Sequence, residues 1–375
     1  MSAPPTRVHS RLPLAPFWAA LAWSAVALGL ALGWLAGVVP PGLSEAEAFG
    51  TLHTAGNVGV TTAVSCVVGA VGVALALLLP RGTAPRLLES LTWALVAVLL
   101  LFYVESTLLV WLGYSLIMPV VVWAEPTLGA AYVAHTLSPG LLHVLFFALG
   151  AGIWVWAALA HRRGRRQGCA RCGRAPAWTP ELERSLRGRA LRVGRVAVAC
   201  AFVLALLYPA LRLPWLFGYS MGLPAERFAQ ISADPGAIMV GVGLGSAGVA
   251  GAVLMLGLVQ RWGVRFPRWT VGLSGRRVPV SLAVLPAGLV AMALLGLGRG
   301  VLVRTWQMGG IVPGEETHTF VFGSMPLWAV ALAVATVAYA VRRRAECGVC
   351  GRGLPETWPV PVPARPRARS GSLVG

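Results

Sequence analysis

An all-α membrane protein, with eight transmembrane helices in two parallel four-helix repeats, is the fold predicted by three features of this 375-residue sequence. First, the chain is 57% hydrophobic and only 12% charged. Second, eight apolar stretches each reach the roughly 20 residues needed to cross a hydrocarbon core about 30 Å thick. Third, one hexapeptide pattern, C-x-x-C-G-R, closes both halves, at Cys169–Arg174 and at Cys347–Arg352. A soluble protein carries about twice this charged fraction. Composition therefore excludes a soluble enzyme, a disordered chain and a disulfide-stapled secreted domain.

The stretches run near Pro16–Val39, Ala55–Leu79, Leu88–Leu112 and Leu137–Ala160, then Val193–Leu216, Pro235–Val259, Val278–Leu297 and Phe320–Val341. Helices are expected because backbone groups without partners in lipid cost several kcal/mol each. The alternating pattern of an outer-membrane barrel is absent from the sequence. The first stretch is longer than the apolar core of a secretory signal and is read as a retained span.

The formal charge of +18 comes from 31 arginines and no lysine, with Asn57 the only asparagine and Asp234 the only aspartate. That usage reflects a GC-rich genome, so the charge alone is no argument for phosphate or nucleic acid. Its distribution is informative. With the N-terminus inside, 27 arginines fall on the cytoplasmic side and only Arg212, Arg227, Arg299 and Arg304 fall outside. The positive-inside rule then places both termini on the cytoplasmic side.

Four units follow: a first membrane half over 1–160, an Arg-rich cytoplasmic linker over 161–192, a second half over 193–341, and a tail over 342–375. The linker, with Glu181–Arg192, is expected to hold a short helix on the membrane surface. The tail, with Pro359, Pro361, Pro363 and Pro366, reads as disordered and rests against anionic headgroups. The partners expected are such a lipid bilayer and another membrane protein, not nucleic acid. In the second spans, Gly59, Ala63, Cys66 and Ala70 match Gly241, Gly245, Gly248 and Ala252. Each set makes a small-residue stripe of the kind that lets helices approach closely in lipid.

Cys169, Cys172, Cys347 and Cys350 are the expected metal ligands. Two-residue spacing lets both thiolates of a knuckle reach one ion, and Gly173 and Gly351 permit the tight turn. Four thiolates around Zn²⁺ make a closed structural site with no open position for catalysis. The repeat would bring the two distant pairs together and clamp spans four and eight. Thiol redox chemistry and metal-free or intermolecular pairs are the alternatives. Haem attachment is excluded, because glycine rather than histidine follows the second cysteine. Cys66 and Cys200 are expected to be small packing residues.

Ionisable groups inside spans are functional candidates by default. Glu105, His143 and Arg212 are candidates for lining a polar cavity open to the outside, with His53, Glu125, His135 and His318 at its mouth. Each has a structural alternative: Arg212 reaching the interface, His143 bonding a neighbouring helix, Glu105 pairing with either. No motif for nucleotide hydrolysis or a catalytic set is present.

The stretch Arg261–Trp269 through Gly275–Pro279 to Pro286–Gly288 resembles a segment of uncharacterised multi-pass membrane proteins of GC-rich actinobacterial type. The resemblance covers about a fifth of the chain and implies a bacterial plasma-membrane location. Arg261, Arg265 and Arg268 with Trp262 and Trp269 form an interfacial anchor. The function that follows is a non-enzymatic membrane scaffold, partner or sensor with a cytoplasmic Cys₄ zinc clamp. A transporter or channel using the Glu105–His143–Arg212 cluster is the second reading, and a membrane enzyme with that cluster as active site the third.

Overall fold

The computed structural model describes residues 14–39, 58–81, 85–124 and 126–356. Among them the secondary structure is helical, without strands, and eight helices are long and apolar enough to cross a membrane. The first half holds α1 (Ala15–Leu35), α2 (Val58–Leu78), α3 (Pro85–Val98), α4 (Ser106–Ala124), α5 (Pro126–Thr136) and α6 (Pro139–Arg165). The second holds α7 (Pro180–Arg212), α8 (Ala225–Ser232), α9 (Pro235–Leu256), α10 (Val280–Gln307), α11 (Glu316–Gly323) and α12 (Met325–Arg342). In the first half α1 packs on α2 and α6, and α3 packs on α6; in the second α7 packs on α9 and α12, and α10 packs on α12.

Close approach is carried by glycines, as expected where lipid removes the hydrophobic drive between helices. A side chain at Gly72 would lie 2.4 Å from Ser24 Oγ on α1, and one at Gly150 would lie 2.2 Å from the Trp23 indole. Trp23 in turn donates its ring N–H to the Phe146 carbonyl at 3.0 Å, locking α1 to α6. The stripe read on the second span behaves differently in the two halves. Gly241, Gly245 and Gly248 of α9 face Trp215, Arg212 and Pro209 of the chain leaving α7. In α2, Gly59, Ala63 and Ala70 are exposed, and the packed face is instead Thr61, Ser65, Val68, Gly69 and Gly72. Spacing alone does not reveal which side of a uniformly apolar helix meets its neighbour. Cys200 is likewise exposed rather than packed, and Cys66 is half-buried.

Two expected boundaries move. The third span does not continue to Leu112. It ends in a π-turn, Leu99–Tyr103, after which Val104 is extended and a new helix starts at Ser106. The apolar run from Leu88 to Ala124 is longer than one crossing needs, so it has to break. The freed Val104 carbonyl accepts from Arg299 Nη2 at 3.2 Å, and Gly296 lets α10 approach that backbone. Helix α4 then packs on α9 and α10, joining the two halves, while α5 folds back along it through Ser115–Tyr132 and Trp111–Thr136 hydrogen bonds. The second change is in the linker. No separate surface helix forms over Glu181–Arg192; that segment is the first turns of α7, continuous to Arg212. Thr179 caps the helix, Pro180 starts it, and the next proline is Pro209, so nothing interrupts it. At about 1.5 Å per residue it is roughly 50 Å long and projects beyond a bilayer core.

Residues 261–279 form the connection between α9 and α10, pinned by an Arg265–Arg277 bridge, while Pro286–Gly288 lie within α10. The Tyr339 hydroxyl and Arg343 both donate to the Gly263 carbonyl and tie this loop to α12. Trp269 projects outward with 81% exposure, as an interfacial anchor requires.

Candidate metal centre and polar sites

The first knuckle begins where α6 ends, after Arg166, and the second where α12 ends, after Arg343. Their backbones are built alike. The Cys169 N–H donates to the Arg174 carbonyl at 3.0 Å and Gly173 N–H to the Cys169 carbonyl at 2.7 Å. In the second knuckle Cys347 donates to Arg352 at 3.0 Å and Gly351 to Cys347 at 2.8 Å. Gly173 (φ +73°) and Gly351 (φ +64°) occupy the left-handed region that closes each turn.

The four sulfurs lie within 4.8 Å of one another, with Cys169 Sγ to Cys347 Sγ at 3.9 Å and Cys172 Sγ to Cys350 Sγ at 3.6 Å. A tetrahedron of metal–sulfur bonds near 2.3 Å has edges of about 3.8 Å. The cluster is thus a geometry that can bind a metal such as zinc. The donor chemistry agrees. Burial opposes the Cys347 thiolate, but the N–H groups of Cys350 and Val349 outweigh it and bring the thiol down to about 6. Cys169 is also lowered, because N–H groups of Cys172 and Arg171 overcome its burial. Cys350 moves the other way, to about 12, through burial and its proximity to the other three thiols. Backbone N–H groups thus favour the thiolate at Cys169 and Cys347.

A buried network that the sequence reading did not identify supports the centre. Arg174, the last residue of the first hexapeptide, is 4% exposed and forms a two-pronged pair with Glu183 of α7 at 3.0 and 2.8 Å. Its Nη1 also donates to the Ala345 and Arg352 carbonyls across the centre, each at 3.0 Å. Arg187, one turn beyond Glu183, donates to the Pro355 and Leu354 carbonyls and to that of Arg344. Arg352 returns the contact by donating to the Ala175 carbonyl at 2.9 Å. Two signals for this network were in the sequence. Arginine recurs at the sixth position of both knuckles, and Glu183–Arg187 has the i,i+4 spacing of a helical ion pair. At the same end Glu89 of α3 pairs with Arg165 of α6 at 2.6 Å.

The expected polar cluster is divided. Glu105 is 1% exposed at the break between α3 and α4. His143, in the first turns of α6, is boxed by the rings of Trp34, Tyr103 and Phe147 at 5.3, 6.0 and 4.7 Å. Both residues therefore lie beside the π-turn. Arg212 lies elsewhere, over the Trp215 ring at 4.2 Å, lining a cavity of about 170 Å³ whose walls include neither Glu105 nor His143. Those walls do include Arg227, Arg304, Glu315 and His318. Among the described residues the four cysteines are the one group of metal-binding side chains; His53 and Glu125 lie outside those residues, as do Pro359 to Pro366. Comparison with protein families, curated proteins and solved structures finds no match to this chain.

Proposed function

We propose that the chain is a non-enzymatic membrane scaffold whose two halves are clamped by a structural zinc ion at Cys169, Cys172, Cys347 and Cys350. The approach of the four sulfurs to within 4.8 Å, from knuckles 178 residues apart, is the observation that carries this reading. With four cysteine ligands and no open position, zinc serves architecture rather than catalysis. The matching helix contacts of the halves, and the identical hydrogen bonds of the two knuckles, support an ancestral duplication with both halves in one orientation. The arginine distribution supports a cytoplasmic cysteine cap in a bacterial plasma membrane. Arg265, Arg268 and the outward Trp269 then meet anionic headgroups, and the exposed face of α2 is open to lipid or to a second membrane protein.

The dense surroundings of Glu105 and His143 favour a scaffold over a transporter, since a transport path needs water at that depth. Two measurements test the reading. Purified full-length protein should contain about one zinc per chain, as structural sites do, and a reporter fused at the C-terminus should signal from the cytoplasm. Metal-free protein would sink the clamp, and a reporter active outside would overturn the orientation. Glu105→Cys in intact membranes should resist a membrane-impermeant thiol reagent; rapid labelling would favour transport.

A further inference from the structure

Three of the four arginines that fall against the positive-inside pattern meet in one cavity at the end of the bundle opposite the cysteine cap. Arg212 closes α7, Arg227 lies on α8, and Arg304 lies in the last turn of α10. Ionisable side chains at membrane depth are costly and are retained with partners or for function. The cavity holds only one carboxylate against them. Glu315 pairs with Arg227 at 2.7 Å and lies 3.7 Å from Arg304. Arg212 has no carboxylate partner among the described residues; its guanidinium lies over Trp215 and Tyr208, and its Nε is buried without a hydrogen-bond partner there. The two rings hold the guanidinium in place where it lines the cavity.

His318 contributes the opposite polarity. Its Nδ1 bonds the Gly222 carbonyl at 3.2 Å, and because a carbonyl only accepts, the proton sits on that nitrogen. The other nitrogen, Nε2, is then an acceptor, and it too is buried without a partner among the described residues. The cavity thus offers several cationic donors and, beside the Glu315 carboxylate that Arg227 and Arg304 engage, the acceptor Nε2 of His318, with two positive charges in excess. A phosphomonoester near neutral pH exchanges between a dianion, which matches the two excess charges, and a monoanion, which offers oxygens to the arginines and a hydroxyl to Nε2. A carboxylate has neither the second charge nor the hydroxyl. The remaining walls are mostly apolar, among them Ile231, Val301, Met308 and Phe322, with Thr305 and Thr319 also lining the cavity. A volume of about 170 Å³ is close to that of cavities which take a benzene-sized ligand. It accommodates a phosphate and a few carbons.

We infer that this cavity binds the phosphate of a phosphomonoester carrying a short apolar body. The group reaches it either on a soluble molecule or on a phosphatidic-acid-type lipid of the adjoining leaflet. Bidentate guanidinium–phosphate bonds hold the head, and the apolar walls exclude molecules without a hydrocarbon portion.

The test uses the full-length protein. In detergent it is titrated calorimetrically with inorganic phosphate and butyl phosphate; from vesicles of phosphatidylcholine with and without phosphatidic acid it is recovered and weighed by native mass spectrometry. Saturable butyl phosphate binding, tighter than that of inorganic phosphate, identifies a soluble source. Retained phosphatidic acid without butyl phosphate binding identifies the lipid source. In either case Arg212→Gln should weaken binding about tenfold to a hundredfold, the worth of lost charge-assisted hydrogen bonds. Glu315→Gln, which releases Arg227 and Arg304, should strengthen it, the reverse of what damage to the cavity would do. The inference is overturned if neither probe binds protein with an intact thermal transition, if Arg212→Gln binds as wild type does, or if both variants weaken binding.

Discussion

Replacing Cys169 by serine is expected to release the metal and undock the segment from Ala345 to Glu356, leaving the helices in place. The two knuckles meet through their four sulfurs, which the proposed metal would join, and through Arg174, Arg187 and Arg352. Loss of one thiolate weakens the first set directly. Apparent binding energies of structural zinc reach about 10–16 kcal/mol, so even a fraction of that value dominates a small cap. Arg174 and Arg343, now 4% and 5% exposed, become accessible bonds for trypsin. When opening is fast relative to cleavage, cutting follows the open population, and about 3 kcal/mol corresponds to roughly a hundredfold faster cleavage. The readout is the rate of tryptic cleavage at these residues, with the far-ultraviolet helix signal unchanged. Cys347→Ser should behave the same way. Wild-type resistance in both variants would mean that the arginine network, not the metal, holds the cap.

Glu183→Gln should destabilise the cap by about 3–5 kcal/mol, the range for removing one partner of a buried ion pair. Glu183 is 4% exposed and accepts from both prongs of Arg174 and from the Trp178 indole at 2.9 Å, with Arg187 Nε at 3.6 Å. Glutamine keeps the shape but leaves two guanidiniums buried without a countercharge. Metal loss to a chelator should accelerate accordingly. In a double-mutant cycle, adding Arg174→Met should cost less in the Glu183→Gln background than in wild type, because the residues act as one unit. Strict additivity would contradict the network.

Much of the membrane architecture was legible because its signals are local. Apolar length specifies a crossing, and a cysteine pair with a following glycine specifies a knuckle whatever surrounds it. The third span misled for the converse reason: an unbroken apolar run shows that a chain stays in lipid, not where it turns. The turn depends on α10, far along the chain, where Arg299 donates to the freed Val104 carbonyl and Gly296 leaves room for that backbone. The Gly59 stripe misled because small residues permit close approach without choosing the neighbour. The Arg-rich start of α7 looked like a surface helix because its charge was visible while its buried partner, Arg174, was not assigned.

The sequence by itself determined that the protein is helical, membrane-embedded and charged asymmetrically, with two knuckles at corresponding points. Each of these depends on residue type and short-range spacing. Only the tertiary structure decided that the knuckles face one another at metal-binding distance, that Glu105 is enclosed by packed helices, and that Arg212 joins Arg227 and Arg304 rather than Glu105 and His143. Those outcomes depend on which helices become neighbours. In lipid that choice is made by shape, and shape is a property of pairs of surfaces that no single segment carries.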